Sequence, residues 1–147
     1  MENMNNILNY IKVNEQIATS GQPTKKQFKK IAKKGYDVVI NLAMHNRGAI
    51  KEEDKIVSKN GMLYIHIPIV WESPDLKRLK LFLKLLESLQ NDGKKVFIHC
   101  IKNYRVSVFI LKYKQYILKE KDAKFIAPKE YNPNRVWREI INADIEF

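Results

Sequence analysis

At 147 residues and 45% apolar content, the chain can bury one hydrophobic core without staples, and its single cysteine excludes an internal disulfide. The formal charge of +11 comes from lysines scattered through every segment, without an arginine-rich arm or aromatic-interleaved patch, which argues against a nucleic-acid partner. No apolar run approaches the roughly 20 residues of a membrane span, and the polar N-terminus is unlike a signal peptide, so a cytoplasmic protein is expected.

Residues 9–13 (NYIKV) and 17–19 (IAT) read as short extended pieces closed by the turn SGQP. Thr24 is placed to cap a helix over KKQFKKIAKK, with Phe28, Ile31 and Ala32 on its apolar side and Gly35 ending it. YDVVINLA is a compact β-branched run and predicts a buried strand. After the loop MHNRGA, residues 50–59 predict a short helix ended near Gly61, and MLYIHIPIV a second strand broken at Pro68. WESP leads into a long helix, about 75–91, where Leu76, Leu79, Phe82, Leu83, Leu86 and Leu89 recur at helical spacing. KVFIHC is a third strand, a helix follows from Arg105, and another is expected over about 133–142 with Pro133 in its first turn. Strands separated by helices at this spacing predict an α/β fold with a mostly parallel central sheet flanked by helices, in one domain spanning 1–147.

Ligand sites of such sheets lie at the carboxyl ends of the strands, and Cys100 stands at the end of the third clear strand, just before a helix. There its sulfur meets the unpaired N–H groups and dipole of a helix N-terminus, which stabilise an anion, and a thiolate is the nucleophilic form of cysteine. Arg105 adds a planar fork suited to two oxygens of a phosphate or sulfate, and Ser107 a hydroxyl in the first helical turn. Against this stands the plain alternative that a lone cysteine is a buried core residue.

The string VFIHC, followed by a short loop, an arginine and a serine opening a helix, resembles the signature of the cysteine-dependent protein tyrosine phosphatases. The nearest likeness is to their compact, dual-specificity-like bacterial branch. IATSGQPTKKQFKKIAKKGYDVVINLA is similar to that branch's opening segment and GMLYIHIPIVWESP to its general-acid strand and loop. The likeness runs from about residue 15 to 115. It implies a phosphatase acting on a phosphomonoester, whether a phosphorylated protein or a small molecule, through a cysteinyl-phosphate and without a cofactor. By that resemblance Cys100 is the nucleophile, Arg105 clamps the phosphoryl oxygens, and the backbone N–H groups of Ile101, Lys102, Asn103, Tyr104 and Arg105 bind the rest. His99 tunes the thiolate and Ser107 assists breakdown of the intermediate.

The chain departs from the family's usual loop in two ways: four residues instead of five separate Cys100 from Arg105, and none is glycine. Asn103 is the expected left-handed position in glycine's place. Either the loop is one residue shorter, or it keeps its length with Val106 where the family has arginine; Ser107, seven after the cysteine, favours the second register. The short spacing also resembles the active loop of rhodanese-type sulfurtransferases, and an altered loop that binds phosphate without turnover is the further alternative. The general acid is expected from Glu72, beside the apolar Trp71, or from Asp75, which Pro74 places at the start of the long helix. His45 and Arg47 belong to a loop on the same sheet edge as Cys100, while His66, Trp137 and Arg138 are expected to be structural. The histidines and the cysteine lack the spacing of a metal site.

Overall fold

A computed structural model describes residues 3–146. Its centre is a five-stranded sheet ordered β1-β2-β5-β3-β4, made of β1 (Ile11–Lys12), β2 (Ile17–Ser20), β3 (Val38–Asn41), β4 (Leu63–His66) and β5 (Val96–His99). β1 pairs antiparallel with β2, and every other pair is parallel. The three inner strands are buried at every position, because helices cover both faces of the sheet.

Side-chain alternation sorts the strand residues between two cores. Val38, Ile40, Val96, Ile98 and Cys100 enter the larger core, with Leu79, Phe82 and Leu83 of α3 (Leu76–Asn91), Val108 and Phe109 of α4 (Tyr104–Tyr116), and Trp137 of α5 (Arg135–Asn142). Val39 and Phe97 point to the opposite side, against Phe28 and Ile31 of α1 (Lys25–Lys33) and Val57 of α2 (Glu53–Lys59). Thr24 caps α1 as expected, in a reciprocal capping box with Gln27.

Four boundaries differ from the expectation. β1 is only two residues long. α2 begins at Glu53, because Glu52 adopts a left-handed conformation (φ 58°) that breaks the helical path. β4 ends at His66, two residues before Pro68, which has no N–H to add to a ladder. Pro133 lies outside α5: the Asn134 side chain accepts from the Trp137 N–H and takes the capping position itself.

Candidate active site

The turn from β5 into α4 is built around Asn103. Its backbone is left-handed (φ 67°, ψ 15°), as the missing glycine required. Its side-chain Nδ2 donates to the Asn9 carbonyl at 2.9 Å and to Thr19 Oγ1 at 3.0 Å, fixing the turn against β2 and the segment before β1. Glycine is supplied from elsewhere in the chain. A Cβ on Gly21, within SGQP, would lie 2.5 Å from the Ile101 carbonyl oxygen, and one on Gly48, within MHNRGA, 2.9 Å from Ile101 Cγ2. The loop is therefore wedged between two backbones that approach without side chains. The Gln22 N–H locks this arrangement by donating to the Ile101 carbonyl at 2.9 Å.

Among the described residues, none accepts a hydrogen bond from the backbone N–H groups of Ile101 to Val106. Six consecutive free donors at the start of a helix make an anion site. The loop borders a cavity of about 410 Å³ whose lining includes Cys100, Ile101, Lys102, Tyr104 and Arg105, together with Trp71, Glu72 and Arg47. Arg105 is buried, and its Nη1 donates to the Ile69 carbonyl at 2.9 Å. That bond uses one of the guanidinium's five donors and holds its plane at the cavity wall. Val106 is buried in the core, and the guanidinium that lines the cavity is that of Arg105.

Several expected site residues do not meet the cavity through their side chains. His99 alternates to the other side of the sheet, where its Nε2 lies 2.5 Å from Glu53 Oε2 and its Nδ1 3.0 Å from the Cys100 carbonyl oxygen. Asn103 is buried beneath the loop. Ser107 donates to the Asn103 carbonyl at 2.6 Å, so its hydroxyl closes the first turn of α4 instead of addressing the sulfur. Asp75 caps α3, accepting from the Lys77 N–H at 2.8 Å, and faces a separate depression with Ser73 and Arg78. Glu72 alone of the two acid candidates lines the cavity. His45 stacks edge-on against His66, whose Nε2 meets the Ala43 carbonyl at 2.6 Å.

Sequence reasoning missed Glu53, Gln22 and Tyr131. Gln22 Nε2 donates to Glu53 Oε1 at 2.8 Å, so SGQP is tied to His99 through one buried carboxylate. Tyr131 stacks on Tyr104 at 4.2 Å with nearly parallel rings, and its hydroxyl is buried without a partner among the described residues. Burial, and then the neighbouring Cys100, push that phenol upward. Glu53 pairs with a residue 46 positions away, and nothing local in the sequence marks it.

The family model of the polymorphic toxin system DSP-PTPase phosphatases matches residues 14–105, more than half of the chain. Among solved structures, a DUF442 protein of Shewanella putrefaciens CN-32 superposes with a TM-score of 0.84 and 28% identity, covering 94% of this chain and 91% of that one. Tk-PTP in its active form is similar at TM-score 0.69 and 20% identity, over 90% and 80% of the two chains. TpbA of P. aeruginosa, solved in complex with pTyr, is similar at TM-score 0.65 and 11% identity, over 92% and 73%. Among curated proteins no match was found. Among the described residues, no helix is long and apolar enough to cross a membrane.

Proposed function

The chain belongs to the DSP-PTPase phosphatases of polymorphic toxin systems, and from that premise we propose that it hydrolyses phosphomonoesters through a cysteinyl-phosphate on Cys100. The observation that supports the reading is that Cys100, Arg105 and a run of unpaired backbone N–H groups belong to one loop at the wall of a single cavity.

The Cys100 thiolate attacks phosphorus and the P–O ester bond breaks, while Glu72 gives its proton to the departing oxygen. Water then attacks phosphorus, the S–P bond breaks, the Glu72 carboxylate takes the water's proton, and inorganic phosphate leaves. The free amides and Arg105 neutralise charge on the equatorial oxygens in both steps. Ser107 has no part in this scheme, since its hydroxyl is held by Asn103. An aryl phosphate fits best, because Trp71 and Tyr104 present ring surfaces at the cavity and a structural relative was solved with pTyr.

Turnover of p-nitrophenyl phosphate by wild type and Cys100→Ser tests the reading. Activity falls to background in the variant, and activity that survives it overturns the covalent route. The four-residue spacing favours one other chemistry, sulfur transfer through a persulfide on the same cysteine. Thiocyanate formed from thiosulfate and cyanide, with no phosphatase activity, would put that chemistry in its place.

A further inference from the structure

The segment between β4 and α3 carries Glu72, and its consecutive carbonyls are each held by a different part of the molecule. The Pro68 carbonyl accepts from Arg78 of α3, and the Ile69 carbonyl from Arg105 of α4 at 2.9 Å. The Val70 carbonyl accepts from the Ser73 N–H at 3.3 Å, closing the segment's own turn. The Trp71 carbonyl, one residue before the acid, accepts from the Trp137 indole N–H at 2.9 Å.

Trp137 is fully buried, and its ring lies 5.3 Å from that of Trp71. Its backbone N–H is bound by Asn134, so its place in the first turn of α5 is fixed from within the helix. Tyr131 and Tyr104 flank Trp71 with ring centroids at 6.2 Å each. Both Trp137 and Tyr131 lie beyond residue 105, where the family match ends. A segment held by its carbonyls on three helices and by one ring on three others is set before substrate arrives.

We propose that Trp137 is a positioning residue that latches the Glu72 segment over Cys100 through its indole N–H on the Trp71 carbonyl. This rests on the assignment of Glu72 as proton donor. The latch keeps Glu72 beside the leaving oxygen, so it matters most when that oxygen needs a proton to depart.

Trp137→Phe removes the N–H and keeps most of the ring. Its kcat/KM, which reports formation of the cysteinyl-phosphate, and that of Glu72→Gln are compared with wild type on p-nitrophenyl phosphate, a good leaving group, and on phenyl phosphate, a poor one. General acids contribute about 10²–10⁴-fold, so Glu72→Gln loses roughly that on phenyl phosphate and far less on p-nitrophenyl phosphate. Trp137→Phe shows the same selectivity at about tenfold in kcat/KM, a fraction of the full effect of the acid. Hydrogen exchange over residues 69–75 rises in Trp137→Phe, while exchange over β5 does not. Ile140→Val, which loosens α5 packing without touching the indole bond, keeps the wild-type ratio between the two substrates. Equal loss on both substrates, no loss on either, or unchanged exchange over 69–75 overturns the latch while Glu72 stands. A Glu72→Gln variant that does not discriminate overturns the acid assignment and the latch with it.

Discussion

At Asn103 the backbone turns left-handed, a conformation that costs a residue with a Cβ about 1–2 kcal/mol and that Asn tolerates best after glycine. Two hydrogen bonds from its side chain, to Asn9 and Thr19, secure the turn, so strain and bonding can be separated by substitution. Asn103→Ala keeps the strain and loses both bonds, and should lower stability by about 2–3 kcal/mol. Asn103→Gly loses the same bonds and adds glycine's entropic cost of about 0.5–1 kcal/mol, but it removes the strain of about 1–2 kcal/mol, so it should be about 1 kcal/mol less destabilising than Asn103→Ala. Urea midpoints give the order; a glycine variant less stable than the alanine one would mean the left-handed backbone is not a burden here. Arg105 bears on chemistry in the same local way. Its planar fork bonds the Ile69 carbonyl through Nη1 and leaves further donors on a residue that lines the cavity, a division a lysine's single ammonium does not reproduce. Arg105→Lys should therefore lower kcat/KM by about 10²-fold, the scale of losing one oriented donor to a developing charge, and retained kcat/KM would refute that geometry.

β5 shows what an element contributes beyond its residues. Because alternate side chains face opposite sides, Cys100 enters the core under α3 and α4, and His99 must enter the one under α1 and α2. There Glu53, at the first position of α2, bonds the buried His99 and the partly buried Gln22. Removing that carboxylate leaves the buried His99 Nε2 unpaired, while Gln22 Nε2 keeps the Pro23 carbonyl, so Glu53→Ala should cost about 1–3 kcal/mol in denaturant unfolding. A loss within 0.5 kcal/mol, the range of an ordinary surface change, would show the pair to be dispensable. The strands, the α1 cap and the β5–loop–α4 unit were legible in the sequence because each rests on local periodicity or a local cap. The Glu53 pairing was not, since it depends on which sheet face α2 covers. The helix-start role of Asp75 was legible from Pro74 before it, and its carboxylate does accept from the Lys77 N–H of α3. Pro133 misled because a nearby asparagine outcompetes it by accepting a backbone N–H, which proline's fixed φ does not do. Ser107 misled for a related reason, as a hydroxyl in a first helical turn finds a backbone acceptor four residues back.

Across the whole molecule the formal charge of +11 is spread over every segment, but its effect on an approaching anion depends on where the field is focused. The cavity concentrates it, with Arg47, Lys102 and Arg105 in its lining against the single carboxylate Glu72. Among the described residues, neither Arg47 nor Lys102 forms a close ion pair, although the Lys102 charge helps hold the Glu130 carboxyl below its usual range. A dianionic aryl phosphate should then lose kcat/KM several-fold as ionic strength rises from about 0.01 M to 0.15 M, over which the screening length falls from about 30 Å to 8 Å. The fall should appear in KM and leave kcat nearly constant, because the bound phosphoryl group lies within contact distance of its donors, where salt screens little. Two double variants separate focused charge from bulk charge. Arg47→Gln with Lys102→Gln should flatten the salt dependence, since it removes the cations that line the cavity. Lys33→Gln with Lys59→Gln lowers the net charge equally, but at the ends of α1 and α2 that lead into the amino edge of the sheet, opposite the loop of Cys100. That pair should leave the slope almost unchanged. Equal flattening by both would mean that net charge alone draws the substrate, and that the two cations in the cavity lining have no special part in its capture.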